Sequence, residues 1–185
     1  MTLYLVLDCE SVGLHGETYA YGYVLITEAG ETLETGYGGC LSILAEGSAE
    51  DREWIEENID PNLPEPTAKS PFEVRSSFWN IWAKHKNNGV RLAADCPWPV
   101  EAKFLLDCIR DNPPSRSLDG PYPLIDVSSV LLASGKDPLG DFDRKEDEMP
   151  IHNPVADAKQ SARLFVEALD LLKKREIVIE SLLGK

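Results

Sequence analysis

Leu3-Tyr4-Leu5-Val6-Leu7-Asp8-Cys9-Glu10 is five apolar residues followed by two acids one residue apart. A run of Leu, Tyr and Val of this length reads as a buried strand. Side chains alternate faces along a strand, so Asp8 and Glu10 share one face, close enough to repel. Cys9, between them, is expected on the opposite face and in the core. Such repulsion raises a pKa or is relieved by bound cations. The plainer alternative is a strand end whose acids face water. Other acids converging on the pair would decide between the two.

Outward from this strand, Ser11-Val12-Gly13-Leu14-His15-Gly16 reads as a glycine-containing loop. Thr18 to Thr27 and Thr32 to Ser42 are β-rich and flank a short turn, which predicts a three-strand antiparallel meander with the first strand. Gly36, Gly38 and Gly39 predict a bulge or close packing. Ser48 followed by Asp51 resembles a capping box and opens a short acidic helix to Asn58. The proline-rich stretch from Asp60 to Pro71 is a loop. A helix with apolar Phe78, Trp79, Ile81 and Trp82 follows from Phe72 to Lys86, ended by Gly89. Val90 to Ala94 is a short buried strand that stops at Asp95. Pro99 suits the first turn of a helix from Val100 to Arg110, which Asn112-Pro113-Pro114 terminates. A strand from Tyr122 to Val127, a short helix from Ser128 to Ala133 and a polar loop to Pro150 come next. Asn153 to Leu172 closes the pattern as an amphipathic helix with Val155, Ala158, Ala162, Phe165, Ala168, Leu169 and Leu172 on one stripe. The order predicts an α/β domain with a mixed sheet flanked by helices, residues 1–185 forming one unit.

The 185 residues, 43% hydrophobic and 27% charged, suit one soluble globular domain with a sizeable core. No stretch has the length of a membrane span, and no cleavable signal is expected at the N-terminus. Cys9, Cys40, Cys96 and Cys108 lack zinc-ligand spacing and read as buried free thiols of a reducing cytoplasm. A net charge of −14 argues against broad binding to long nucleic acid, but leaves room for a small site that grips a strand end. The acidic runs Glu46 to Glu57 and Asp137 to Glu148 read as solvated faces.

Two further acids occupy informative places. Asp95 follows a buried strand, and acids at the carboxyl ends of neighbouring strands gather where α/β sheets bind ligands. It could also cap the next helix. Asp157 lies in the first turn of the last helix, where the dipole favours a carboxylate. His152 precedes that helix, and an imidazole can take a proton from water near neutrality. Asp8, Glu10, Asp95 and Asp157 together would need hard cations. Their oxygens favour Mg²⁺ or Mn²⁺ over zinc. Two such ions roughly 4 Å apart support in-line displacement at phosphorus.

These residues resemble the DEDDh 3′–5′ exonucleases of the RNase H-like superfamily. Asp8-Cys9-Glu10 matches the family's first motif, Asp95 the second, and His152 with Asp157 the His-x(4)-Asp of the third. Asp95-Cys96-Pro97-Trp98 directly after a strand is most similar to the compact RNase AS-type exoribonucleases. The resemblance implies an RNase H-like fold and metal-dependent hydrolysis from a free 3′ end, with release of nucleoside 5′-monophosphates. It implies that Asp8 bridges two Mg²⁺ or Mn²⁺ ions. Glu10 and Asp157 complete the first ion's shell, and Asp95 holds the second, directly or through water. His152 is the implied general base. Ser11, Val12, Gly13 and Leu14 would contact the terminal nucleotide, with Leu14 beside its base. Trp98 is either a stacking surface or a core residue.

The implied partners are 3′ ends of single-stranded RNA or DNA and short oligonucleotides, with a homodimer expected and no membrane. Trp79 and Trp82 belong either to a dimer interface or to the monomer's core. The second motif lacks the family's frequent Asn-x(3)-Phe-Asp pattern, which leaves Asp107 as a rival to Asp95. Asp126 is expected to cap the turn to Ser128 and Ser129. Two other activities remain open: a catalytically silent binding module and an RNase H-like endonuclease.

Overall fold

A computed structural model describes residues 2–42, 44, 47–60 and 63–182, with side chains through residue 177. The meander forms as expected: β1 (Leu3–Ser11), β2 (Thr18–Thr27) and β3 (Thr32–Gly39) pair antiparallel in sequence. β4 (Arg91–Ala94) adds to β1 in parallel, β5 (Ile125–Asp126) adds to β4, and the sheet order is β3-β2-β1-β4-β5. Both faces are covered, which is why β1 and β2 read as nearly continuous apolar runs.

On one face Leu5, Leu7, Cys9, Tyr21, Tyr23 and Leu25 pack against two helices. These are α2 (Pro71–Lys86), through Val74, Phe78, Trp79 and Trp82, and α3 (Val100–Arg110), through Phe104, Leu105 and Cys108. Trp79 and Trp82 are therefore core residues, and the interface alternative falls. On the other face Tyr4, Val6, Val24 and Ile26 meet α5 (Val127–Ser134) and α6 (Pro154–Leu182). Cys9 sits in the first core and Asp8 and Glu10 on the second face, as the alternation requires.

Several boundaries differ from expectation. β1 runs through the acids to Ser11 because β2 continues to pair with it, Glu10 opposite Ala20. β3 stops at Gly39 instead of Ser42. The glycines of β3 serve close packing: a Cβ on Gly36, Gly38 or Gly39 would strike the rings of Tyr23, Tyr21 and Tyr37. β5 shrinks to two residues because the short β4 offers it partners only at Ala93 and Ala94. A short α4 (Pro113–Arg116) follows the Asn112 stop, and a 3₁₀ turn, Glu146–Glu148, lies in the polar loop. α6 runs ten residues past Leu172, through the strong helix formers Lys173, Lys174 and Arg175.

α1 (Ala49–Asn58) keeps its expected cap. The Ser48 hydroxyl accepts from the Asp51 N–H at 3.0 Å, and Asp51 accepts from the Ser48 N–H at 3.1 Å. Glu46, in the first acidic run, and Pro61, in the proline-rich loop, lie outside the described residues. Cys9, Cys40 and Cys108 are buried free thiols, but Cys96 is exposed because it sits in the bend after β4.

Candidate metal centre

Asp8 and Glu10 project from β1 beyond its last pair with β4, Leu7 with Ala94. Asp95 follows Ala94 directly, so the parallel register brings it alongside Asp8. Across the other neighbour, Asp8 faces Gly22 and Glu10 faces Ala20. These are the smallest residues available, and the first turn of α6 settles into the space they leave. A Cβ on Gly22 would lie 2.2 Å from the Pro154 carbonyl carbon and 2.3 Å from the Val155 nitrogen. A glycine inside a strand marks this kind of close approach.

That contact delivers Asp157, on the first turns of α6, to the acids of β1. Asn153 caps the helix, its Oδ1 accepting from the Val155 N–H at 3.1 Å and the Ala156 N–H at 3.3 Å. Its Nδ2 donates to Asp60 at 3.1 Å. His152, just before the cap, adopts a left-handed backbone with φ 58°. That conformation costs a non-glycine residue on the order of 1–2 kcal/mol. It turns the chain so that the imidazole enters the acidic cluster.

Glu10, His152 and Asp157 each offer one ligand atom, and these atoms lie within 4.8 Å of one another. Asp8 is held well above the usual carboxylate range by burial first, then by Glu10, Asp157, Glu101 and Asp95. Burial, Asp157 and Glu101 push Glu10 up to about 8. Of the four acids named from the sequence, Glu10 and Asp157 stand at ligand distance with His152, while Asp8 and Asp95 lie outside that group, Asp8 within electrostatic reach of the other three. A fifth, Glu101 on α3, joins them: buried, it accepts from the Cys9 N–H at 3.0 Å and is itself raised to about 8, chiefly by burial. Past the end of the β1–β4 ladder that N–H needs an acceptor, and Glu101 supplies it.

The donor set suits a hard divalent cation: several carboxylates and one imidazole, buried and mutually repelling. Within this acidic cluster Arg144 pairs with Asp157. Its Nη1 donates to Asp157 Oδ1 at 2.5 Å and to the Glu148 carbonyl at 2.9 Å. Burial raises Asp157, while Arg144 and His152 pull it back down.

Asp95 does not cap α3, whose N-cap is Pro99; instead it accepts from the Ser128 hydroxyl at 2.6 Å. Asp126 caps α5 as expected, accepting from the Ser128 N–H at 3.1 Å. Asp107 pairs with Lys103 at 2.7 Å and Arg110 at 3.3 Å and is absent from the acids that raise Asp8.

Beside the acids opens a cleft of about 590 Å³ lined by Glu10, Ser11, Gly13, Leu14, Asp51, Trp54 and Val100. Val12 does not line it; the side chain turns inward against Tyr19, Ala20 and Ile55. Trp98 is 77% exposed, which overturns its core alternative. Trp54, on α1, stands edge-on to the His152 ring with centroids 5.0 Å apart.

Four contributors escaped the sequence reading. Gly22 was visible as a glycine inside an apolar strand. Glu101 looks like an ordinary first-turn acid, Trp54 lies on a polar helix, and Arg144 sits inside an acidic run.

The sheet order and its helices define an RNase H-like fold. Among solved structures, Pop2p of S. pombe in its Mg²⁺- and Mn²⁺-bound form is similar, with a TM-score of 0.66 and 14% identity. The match covers 89% of this chain and 81% of that one. E. coli exonuclease I with a dT13 oligonucleotide is similar at a TM-score of 0.53 and 13% identity, over 100% of this chain and 44% of that one. Product-bound exonuclease I gives 0.50 and 15%, over 100% and 46%. The chain thus spans less than half of exonuclease I. No family model matches the sequence, and no curated protein does.

Proposed function

We propose that this chain is a divalent-metal-dependent 3′–5′ exonuclease domain. It hydrolyses RNA, or other single strands, from the 3′ end and releases nucleoside 5′-monophosphates. The observation that supports this reading is the convergence of Asp8, Glu10, Asp95, Asp157 and His152 at one end of the sheet. The metal-bound and oligonucleotide-bound states of the structural neighbours accord with it.

When bound, two Mg²⁺ or Mn²⁺ ions supply an activated water and charge neutralisation at the phosphoryl group. Asp8, Glu10, Asp157 and Asp95 would hold these ions. His152 takes the proton of the attacking water. Ser11, Gly13 and Leu14 receive the terminal nucleotide, Leu14 wedges beside its base, and Trp54 offers an apolar surface across the cleft. The exposed Trp98 gives a stacking surface outside that cleft.

The free thiols fit a reducing cytoplasm. A homodimer, if formed, uses a surface other than the buried Trp79 and Trp82. RNA is favoured over DNA by the RNase AS-type resemblance.

The test uses 5′-labelled single-stranded RNA and matching DNA with Mn²⁺, Mg²⁺ or EDTA. A ladder shortening from the 3′ end is expected, lost with EDTA and in Asp157→Ala, with a higher KM in Trp54→Ala. No cleavage in any metal refutes the reading. Internal cuts indicate the endonuclease.

A further inference from the structure

We propose that Arg144 is a tethered counter-cation of Asp157, which a divalent ion must displace in order to bind. The inference rests on the metal-centre reading above and adds a control on metal affinity.

Arg144 is held in place by its surroundings. Its side chain is only 18% exposed, and the segment that carries it is pinned to α6. Glu148, at the end of that segment, grips Arg163 of α6 by two bonds, Nε to Oε1 at 2.6 Å and Nη2 to Oε2 at 2.8 Å. Arg163 also donates to the Asp143 carbonyl at 2.8 Å, and Glu148 accepts from the Lys145 N–H at 2.9 Å. Arg144 Nη1 in turn donates to the Glu148 carbonyl. The guanidinium is therefore presented to Asp157 from a fixed base, with little further rotamer entropy to lose.

Asp157 needs such a partner. It is poorly hydrated, lies within ligand distance of Glu10 and His152, and stands close to Asp8. A charge-assisted bond from a guanidinium offsets that repulsion. The same bond engages Oδ1 of the carboxylate that an entering cation would share. The two cations thus compete for one carboxylate, and the observed metal affinity is the intrinsic one reduced by the cost of detaching Arg144.

Mn²⁺ binding, followed by the electron paramagnetic resonance of the free ion, provides the test. Arg144→Gln should bind Mn²⁺ about tenfold more tightly than wild type, the scale of one lost charged hydrogen bond. Its melting temperature in EDTA should fall further than in saturating Mn²⁺. Unchanged or weaker Mn²⁺ affinity overturns the inference and makes Arg144 a residue that orients Asp157. If Arg144→Gln does not fold, a wild-type crystal soaked in Mn²⁺ decides. Arg144 displaced from Asp157 upholds the inference, and the pair intact beside a bound ion overturns it. Failure of the wild type to bind Mn²⁺ at all, equally with Asp157→Asn, would instead refute the metal-centre reading.

Discussion

Glu101 lies beneath the acids of β1 and carries a consequence for pH. Burial pushes its carboxyl, like that of Glu10, up to about 8, against an ordinary 4.5. The folded state therefore holds protons that the unfolded chain has released, and this contribution to stability is full below about 4.5. It is lost as pH rises towards about 8. Glu101→Gln keeps an oxygen for the Cys9 N–H but removes the titration. The melting temperature of this variant in EDTA, minus that of wild type, should rise between those two pH values. A flat or falling difference would exclude the assignment. At this scale Asp8, Glu10, Asp95, His152 and Asp157 were legible because their residue types and spacing restrict the chemistry. Glu101 and Arg144 were not, since an acid in a helix's first turn and an arginine in a loop have ordinary local explanations.

Among the elements, the contact between β2 and α6 matters most to the site. Gly22 lets the first turn of α6 rest on the sheet opposite Asp8. Gly22→Ala would press a methyl group into the Pro154 main chain. Overpacking of this kind costs roughly 1–3 kcal/mol. Urea unfolding should show that loss. Mn²⁺ affinity should fall as well, because Asp157 retreats from Glu10. A stability loss with unchanged Mn²⁺ affinity would mean that α6 does not position the site. The elements themselves were largely readable: β2, the Ser48 cap and α3 match the sequence pattern closely. β5 was overextended, because its length depends on what the short β4 can pair.

For the molecule as a whole, the net charge of −14 sets how substrate can be held. A protein that tracks a long backbone with 6–10 phosphate contacts loses about 10³–10⁵ in affinity between about 50 and 200 mM salt. With 32 acidic against 18 basic side chains such tracking is disfavoured, so contact should be confined to the strand end. The KM for a short single strand should therefore change less than about tenfold over that range. A steeper dependence, measured with the substrate in excess and metal saturating, would point to an extended nucleic-acid track.

By itself the sequence determined the meander, the burial of β1, and the five side chains proposed to bear on phosphoryl chemistry. Each follows from a local rule: alternation in strands, caps at helix ends, and the ligand chemistry of carboxylates and imidazole. Only the tertiary structure decided which acids meet. It set Asp95 beside Asp8, seated α6 on Gly22, buried Trp79 and Trp82, and placed Arg144 against Asp157. Those outcomes depend on parallel register and close packing between residues far apart in sequence, which no local pattern encodes.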